Sequence, residues 1–378
     1  MRSPLRIALV HDWLDTWGGA ENVLVELLRL FPDGDVHTLI DVMPAALHYR
    51  LGARPVRTSW LQHLPRARAW FRYCLPLMPA AIERFDFAAY DVVLSSSHAV
   101  AKGARTGPGQ VHICYCHTPA RYIWEQRDHY VAPRGLRAVV ARRLLDRLRH
   151  WDRQSAARVD HFIANSEHIA RRIARCYGRQ AVVIYPPVDC ERFAAGAAAH
   201  DGARDAYYLA VSRLVPYKRV DLLVAAFAAL PQRRLIVVGD GPQAAALARS
   251  APANIEWRGR VDEHDLVRLV QRARALVHVA EEDFGIALVE AQAAGTPVIA
   301  YAGGGAAEIV RGLDTPTPTG VLFATQSSQA LVDAINRFEA QAPRITAEAC
   351  RRNATRFASA QFRQALRAFV VRVTSSPR

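Results

Sequence analysis

The chain has 378 residues, of which 51% are hydrophobic and 22% are charged. A chain this apolar is not disordered, and its length suits about two domains of ordinary size. The formal net charge of +14 favours an anionic partner, such as a nucleic acid, an acidic membrane or a phosphorylated small molecule. All but two of the 49 cations are arginine, however, and alanine is abundant. This combination indicates a GC-rich genome, so the charge alone is weak evidence about partners.

Membrane-spanning, secreted and zinc-binding classes are not expected. The sequence lacks a window of about 18 uncharged apolar residues, which predicts that no transmembrane helix is present. The N-terminal residues run directly into a strand-like segment followed by the acidic Asp12, which predicts that there is no signal peptide. The six cysteines form no C-x-x-C pair, and the spacing of Cys114 and Cys116 fits neither the usual zinc motifs nor the redox motifs. We therefore expect reduced cysteines in a cytoplasmic protein.

The first half of the sequence alternates short apolar runs with helical patterns. The glycine pair Gly18-Gly19 opens a helical stretch over residues 20–31, whose leucine and valine side chains lie largely on one face. The predicted strands of this half are residues 5–11, 36–40, 91–95, 111–116, 161–165 and 182–185.

Two prolines, Pro186 and Pro187, mark the predicted domain boundary, because proline cannot continue a strand ladder. A second series of strands and helices follows. Its predicted strands are residues 207–211, 235–238, 255–257, 275–279, 297–300 and 321–323. Its predicted helices are residues 219–230, 243–250, 263–273, 286–294 and 327–341, and only helical pattern follows residue 346.

This alternation predicts an α/β protein with two Rossmann-like domains that face each other across a cleft. We expect an N-terminal domain over residues 1–187 and a C-terminal domain over 188–357. A C-terminal helix over 358–378 is expected to return to the N-terminal domain. Ligands of such sheets bind at the carboxyl ends of the strands, so the cleft is the expected active site.

Two glycine-rich loops are candidates for binding phosphate. Gly18-Gly19 joins the first strand to the first helix, where backbone N–H groups can approach an anion, although an ordinary turn needs the same residues. Residues 239–244 match the loose dinucleotide fingerprint G-x-G-x-x-A and support an NAD-dependent oxidoreductase as an alternative. That loop follows the second strand of its domain instead of the first, and Pro242 also suits the first position of a helix.

Charged residues follow two other predicted strands of the second domain. Arg213 and Lys218 stand in the loop after the first strand, where two fixed cations suit a leaving diphosphate whose charge grows. Glu282 and Glu290 are eight residues apart, slightly more than two helical turns, so both can face one cleft if the helix starts near Phe284. Acids that cap a helix dipole are the alternative, but capping does not account for Glu290.

A basic stretch over residues 54–75 interleaves five arginines with tryptophan, phenylalanine and leucine. Such a stretch can lie on an anionic membrane. A solvated face over buried tryptophan and leucine side chains is the alternative.

Taken in order, the motifs of the second domain resemble those of retaining glycosyltransferases of family 4, which have the GT-B fold. The matching motifs are S-R-L-x-x-x-K (212–218), V-G-D-G-P (238–242), E-x-F-G with a second glutamate (282–285 and 290), A-x-G-T-P-V-I-A (293–300) and G-G-G-x-x-E-I-V (303–310). The first domain resembles the family through G-G-A-E (18–21) and H-T-P (117–119). The string C-H-T-P-x-R-Y-x-W (116–124) resembles the O-antigen mannosyltransferase branch.

The resemblance implies roles for particular residues. Arg213 and Lys218 would hold the donor diphosphate, and Glu282 would bind hydroxyls of the donor sugar. His117 would contact that sugar near its reacting face. The remaining residues implied to bind the donor are Gly18, Gly19, Gly239, Arg260, Val261, Phe284, Gly285, Ile286 and Glu290, the last of these at the ribose.

The implied reaction transfers a hexose from a nucleoside diphosphate with retention of configuration, without a cofactor or a metal. We expect mannose from GDP-mannose as the donor, with a UDP- or ADP-sugar as the alternative. The expected acceptor is a lipid-linked or polysaccharide intermediate, as in lipopolysaccharide synthesis, with peripheral contact to the inner face of the cell membrane. Nucleic acid is not an expected partner, because no recognised reader motif is present.

Overall fold

The computed structural model describes residues 5–52, 54–125, 135–200 and 204–375. The chain divides into two compact units. The first unit comprises Met1–Pro187 together with Phe362–Arg378, and the second comprises Val188–Gln361.

The first unit contains a seven-stranded parallel sheet in the order β3-β2-β1-β4-β5-β6-β7. The central strands are fully buried, as expected for a parallel sheet covered on both faces. The strands are β1 (Ile7–His11), β2 (Asp35–Thr38), β3 (Val56–Thr58), β4 (Val92–Ser97), β5 (Val111–Cys116), β6 (His161–Ala164) and β7 (Ala181–Val183).

Helices cover both faces of this sheet, and one of them comes from the C-terminus of the chain. Phe362, Leu366, Phe369 and Val370 of that helix are buried in the same apolar cluster as Leu9, as the sequence predicts. The helices of the first unit are α1 (Gly19–Leu30), α2 (Ala45–His48), α3 (Ala67–Trp70), α4 (Met78–Ile82), α5 (Arg121–Trp124), α6 (Leu136–Ala157), α7 (Glu167–Tyr177) and, at the C-terminus, α16 (Ser359–Ser375).

The second unit contains a six-stranded parallel sheet in the order β10-β9-β8-β11-β12-β13. Its strands are β8 (Tyr207–Val211), β9 (Arg234–Val238), β10 (Ile255–Gly259), β11 (Ala275–His278), β12 (Val298–Tyr301) and β13 (Gly320–Phe323). Its helices are α8 (Cys190–Ala194), α9 (Val220–Ala228), α10 (Ala244–Ser250), α11 (Glu263–Arg272), α12 (Ile286–Ala293), α13 (Ala306–Ile309), α14 (Ser328–Gln341) and α15 (Ala347–Ala354).

The predicted strands and long helices agree with these bounds to within two residues, and the predicted α/β class with two Rossmann-like parallel-sheet units is confirmed. The edge strand β3 was not expected. It lies in the basic stretch over residues 54–75, and its three residues are only partly buried or exposed, so no continuous apolar run reveals it. Within the described ranges, the structure has no helix that is both long enough and apolar enough to cross a membrane.

Candidate functional site

The candidate residues of the second unit follow the carboxyl ends of adjacent strands. Arg213 and Lys218 follow β8, Gly239 follows β9, Arg260 follows β10 and Glu282 follows β11. Because the strands are all parallel, these loops meet at one edge of the sheet.

Glu282 forms the centre of a charged cluster at this edge. Its carboxylate accepts a hydrogen bond from the Lys218 ammonium, and Nε2 of His278 lies 3.1 Å from the same oxygen. Burial would raise the pKa of Glu282, but Lys218 and His278 outweigh burial and hold that pKa well below its usual range. The side chain is therefore an ionised acceptor of hydrogen bonds and is not suited to act as a general acid.

The glycine loop over residues 303–305 fixes the backbone at Glu282. Gly304 has a φ of +69°, and a Cβ atom there would lie 2.0 Å from the carbonyl oxygen of Glu282. The N–H of Gly305 donates to that same oxygen over 2.9 Å. The G-G-G motif therefore positions the carboxylate through backbone packing, a role that the sequence did not reveal.

Similar packing accounts for the fingerprint-like loop after β9. Gly239 has a φ of +134°, and a Cβ atom there would lie 1.8 Å from the carbonyl oxygen of Ser212. A Cβ atom on Gly241 would lie 2.4 Å from the carbonyl oxygen of Leu214, whose N–H donates to the oxygen of Asp240. These glycines lie against the protein's own β8 loop, so their presence does not require a dinucleotide.

The two predicted cations differ in their surroundings. Lys218 is largely buried and is paired with Glu282, whereas Arg213 is exposed. Within the described residues, the Arg213 side chain has no hydrogen bond or ion pair that would hold it in place.

Helix α12 begins directly after this cluster. Gly285 precedes it with a φ of +112°, Phe284 is buried, and Ile286 is the first helical residue. The helix thus starts at the residue where the sequence predicts it. Backbone N–H groups in a first helical turn have no partner inside the helix and can bind an anion or a hydroxyl oxygen.

Glu290 lies on α12 but has partners different from those of Glu282. Nη2 of Arg192 lies 3.6 Å from its carboxylate, and the same guanidinium lies 3.2 Å from Glu263. Burial raises the pKa of Glu290 to about 7, with Arg192 opposing that shift and Asp189 and Glu263 adding to it. Glu290 can therefore change its protonation state near neutral pH.

The loop after β10 contains the last two predicted donor residues of this unit. Arg260 is exposed and Val261 is partly exposed, next to Asp262, which caps helix α11. Ligand atoms of Asp262, His264 and Asp265 lie within 4.8 Å of one another. Asp262 already accepts the backbone N–H of Asp265, and this exposed group has the features of a helix cap.

In the first unit, the glycine pair lies at the start of α1 as expected. Neither Gly18 nor Gly19 has a positive φ, so the turn itself does not require glycine. A Cβ atom on Gly18 would instead lie 3.2 Å from Oε2 of Glu21, a buried carboxylate in the first helical turn. Gly18 therefore leaves room for Glu21, a residue for which the sequence alone predicted no role.

His117 follows β5 and joins a group of polar side chains at the carboxyl ends of β1, β4 and β5. Its Nε2 lies 2.8 Å from Oγ of Ser96, and Nδ1 of His11 lies 3.2 Å from the same hydroxyl. Burial, together with nearby His98 and His11, lowers the pKa of His117 to about 3 against the opposing effect of Asp12. His117 is consequently neutral at physiological pH.

Asp12 organises the loop after β4. Its fully buried carboxylate accepts backbone N–H groups from His98, Ala99, Val100 and Ala101. Burial would raise its pKa, but His98 and these hydrogen bonds lower it. Asp12 therefore fixes the loop that follows Ser96.

Sequence reasoning missed His11, Asp12, Ser96 and His98 as members of this group. The available signal was that each lies at or directly after the end of a buried strand, where polar residues end an apolar run.

Two family models match the chain. Residues 17–192 match the family described as Glycosyltransferase Family 4, and residues 200–357 match the one described as Glycosyl transferases group 1. Both units are therefore related in sequence to glycosyltransferases.

Individual relatives agree with these matches. The D-inositol 3-phosphate glycosyltransferase of Mycobacterium sp. (strain KMS) is 35% identical over 184 residues, which cover 42% of this chain and 41% of that protein. The chain thus spans less than half the length of this curated relative.

Solved structures share the fold over nearly the whole chain. HepE from Anabaena, in complex with UDP and glucose, has a TM-score of 0.68 at 20% identity and covers 97% of this chain and 99% of its own. Sucrose-phosphate synthase from Thermosynechococcus elongatus has a TM-score of 0.72 at 18% identity, over 98% of this chain and 100% of its own. These likenesses establish the GT-B fold that the motifs implied.

Replacement of Gly304 by alanine should destabilise the second unit, because the new Cβ atom would overlap the carbonyl oxygen of Glu282. We expect a loss of unfolding free energy of about 2 kcal/mol or more, beyond the cost of a positive φ. Gly196→Ala is the matched control, since Gly196 also has a positive φ and its Cβ atom would meet nothing within 4 Å. Chemical denaturation of both variants measures the difference, and equal losses would contradict the steric explanation.

Proposed function

We propose that this protein is a retaining hexosyltransferase that transfers mannose from GDP-mannose to a lipid-linked or polysaccharide acceptor. The observation that carries the proposal is the largely buried cluster of Glu282, Lys218 and His278 at the carboxyl ends of β8 and β11. An ionised carboxylate that cannot donate a proton suits the recognition of sugar hydroxyls, which are hydrogen-bond donors.

The leaving group is the second part of the proposal. The bond between the anomeric carbon and the phosphate oxygen breaks, and the acceptor hydroxyl forms its new bond on the same face of the sugar. The departing diphosphate takes the proton of that hydroxyl. Lys218 and Arg213 would stabilise the charge that grows on the diphosphate, together with the N-terminus of α12, so the reaction would need no metal.

The remaining roles are assigned from the resemblance. In the first unit, Gly18 and Gly19 would let the start of α1 approach the diphosphate, and His117 would contact the sugar. In the second unit, Glu290 would bind the ribose. The nucleoside would lie against Gly239, Arg260 and Val261, and backbone groups of Phe284, Gly285 and Ile286 would complete the donor site.

The identity of the donor has one specific alternative. The string over residues 116–124 favours GDP-mannose and the O-antigen mannosyltransferase branch. The HepE structure, which holds UDP and glucose, favours a UDP-sugar instead. The residues proposed to hold the diphosphate would serve either donor, since both donors share that group.

Acceptor delivery from a membrane is supported by part of the basic stretch over residues 54–75. Trp60, Leu61, Leu64 and Phe71 pack into the core of the first unit, and Arg57 and Arg72 pair with aspartates. The exposed residues of this stretch, with Leu77 just beyond it, form a group that we call the Trp70 patch. It consists of Trp70 (53% exposed), Tyr73 (77%) and Leu77 (44%), with the exposed Arg66 and Arg68 shortly before them in the sequence.

An exposed aromatic and cationic patch suits the interface of an anionic membrane, where rings enter the headgroup region and arginines attract phosphates. We propose that the protein binds the inner face of the cell membrane peripherally through this patch. The acceptor would then be presented at the lipid surface.

Thermal unfolding in the presence of GDP, UDP, ADP and NAD tests the donor. A nucleotide at about 100 times its Kd stabilises the folded state by about 2.7 kcal/mol, so the correct nucleoside diphosphate should raise the Tm by several degrees. GDP is expected to give the largest rise. Stabilisation by NAD alone would contradict a glycosyltransferase.

Replacement of Glu282 by glutamine should abolish sugar transfer while preserving the fold. The amide lacks the negative charge that pairs with Lys218, and it has one carbonyl oxygen in place of the two carboxylate oxygens that accept hydrogen bonds. We expect a loss of at least about 100-fold in kcat/KM, measured by mass analysis of the product. Glu281→Gln, a change at the exposed neighbouring acid, is the control and should transfer normally. Near-normal transfer by Glu282→Gln would remove Glu282 from the active site.

The affinity for a nucleotide sugar should rise with pH through about 7, because ribose hydroxyls donate to the Glu290 carboxylate but not to its protonated oxygen. In the free protein the raised pKa of Glu290 means that folding favours the neutral carboxyl. The contribution of Glu290 to the free energy of unfolding therefore falls as the pH rises from the usual glutamate pKa through about 7. Titration calorimetry between about pH 6 and about pH 8 should show the affinity for the nucleotide sugar rising in the wild type. In Glu290→Gln the affinity should not change over this pH range. If the affinity of Glu290→Gln still rose with pH, the titrating group would be a residue other than Glu290.

Sedimentation with vesicles that contain anionic lipid tests the Trp70 patch. We expect binding at low salt that weakens at high salt and is largely lost when Trp70 and Tyr73 are both replaced by serine. Tyr49→Ser is the control, since Tyr49 is 70% exposed in the same unit but lies outside the patch. Absence of binding by the wild type would overturn the proposed membrane contact.

A further inference from the structure

Four side chains of the first unit form a continuous row that ends at His117. Oε1 of Glu21 lies 3.5 Å from Nε2 of His11, Nδ1 of His11 lies 3.2 Å from Oγ of Ser96, and that Oγ lies 2.8 Å from Nε2 of His117. Glu21, His11 and Ser96 are all buried. The two hydrogen bonds at Ser96 and the electrostatic contact between Glu21 and His11 are therefore made within the protein, away from solvent.

The serine hydroxyl makes the row directional. Ser96 has one hydroxyl proton and lies between ring nitrogens of two histidines, so it donates to one ring and accepts from the other. The proton position on one ring thus determines the proton position on the second.

Glu21 determines in which direction the hydrogen bonds of the row run. Burial would raise its pKa, but the contact with His11 outweighs burial and lowers it, so Glu21 is a carboxylate. It also lies in the first turn of α1, where the helix dipole stabilises negative charge. A carboxylate 3.5 Å away attracts an N–H at Nε2 of His11 and repels a lone pair there.

The rest of the row follows from this choice. When the His11 ring carries a single proton, that proton lies on Nε2 facing Glu21, and the lone pair at Nδ1 accepts the Ser96 hydroxyl. The oxygen of Ser96 then accepts a proton from Nε2 of His117. Because the ring of His117 is neutral, its Nδ1 is left as a hydrogen-bond acceptor.

We propose that Glu21, His11 and Ser96 are positioning residues that hold His117 as the tautomer protonated at Nε2, so that its Nδ1 accepts a hydroxyl of the donor sugar. The part that concerns the sugar rests on the proposed function. The tautomer itself is a property of the unliganded protein.

A second buried serine–histidine pair on the same strand provides a matched control. Oγ of Ser95 lies 2.9 Å from Nε2 of His112, and both residues are fully buried. Ser95 and Ser96 are consecutive in β4, so they point to opposite faces of the sheet. Ser95→Ala therefore removes a comparable hydrogen bond without touching the row.

Nitrogen NMR of the full chain labelled at histidine measures the tautomers directly. His11 and His117 are assigned by the signals lost in His11→Gln and His117→Gln. We expect His117 protonated at Nε2 and unprotonated at Nδ1, and neutral His11 in the same tautomer. A proton on Nδ1 of His117, or a doubly protonated His11 at neutral pH, would overturn the row.

The variants then connect the tautomer with turnover. Ser96→Ala and Glu21→Gln should each give a mixture of His117 tautomers, and Ser96→Ala should lower kcat about tenfold, the cost of about 1.4 kcal/mol for one misplaced hydrogen bond. Ser95→Ala should leave the His117 tautomer and kcat unchanged, although its stability falls comparably. If Ser96→Ala and Ser95→Ala changed kcat equally, Ser96 would have a structural role only and would not position His117.

The two proposals fail separately. A protein that binds and transfers no nucleotide sugar contradicts the proposed function, whatever the NMR spectra show. A transferring enzyme with the wrong His117 tautomer contradicts only the row of positioning residues.

Discussion

The parallel pairing of the strands is the constraint on which both candidate sites depend. When neighbouring strands run in the same direction, each connection must return over a face of the sheet, and all the carboxyl ends meet at one edge. Lys218 and Glu282 are 64 residues apart in sequence, yet β8 and β11 are neighbours and place them in contact. The same rule brings His11, Ser96 and His117 together from β1, β4 and β5.

Burial of charge at these edges is compensated locally. Four backbone N–H groups surround Asp12, and Lys218 neutralises Glu282. The only two lysines of the chain each form an ion pair with little solvent contact, the second being Lys102 with Asp152 in the first unit. A lysine presents its charge at a single atom, which fits a narrow site better than the wide guanidinium of arginine. Loss of either partner would leave an uncompensated charge, so these pairs fix the geometry around them.

Glycines supply the close packing that the charged loops require. The sequence left a dinucleotide site as an alternative for residues 239–244, and either a phosphate-binding loop or an ordinary turn for Gly18-Gly19. In the structure, Gly239 and Gly304 instead lie against carbonyl oxygens of neighbouring loops, and Gly18 leaves room for the Glu21 carboxylate. A glycine motif indicates that other atoms lie very close to the backbone at that position. Whether those atoms belong to a ligand or to the protein's own backbone depends on how loops that are distant in the sequence pack together.

Hydrophobic periodicity by itself predicted every described strand except β3, together with α1, the long helices of the second unit and the two-unit α/β architecture, because each buried face must repeat with the period of its element. The resemblance in motifs also identified Glu282, Lys218 and His117 as candidates. The edge strand β3 escaped this reasoning because it buries too little to leave a pattern. The partners of the candidates were decided only by the tertiary structure. His278, the glycine loop over 303–305, and the row from Glu21 to His117 depend on contacts between loops, which the order of residues along the chain does not encode locally.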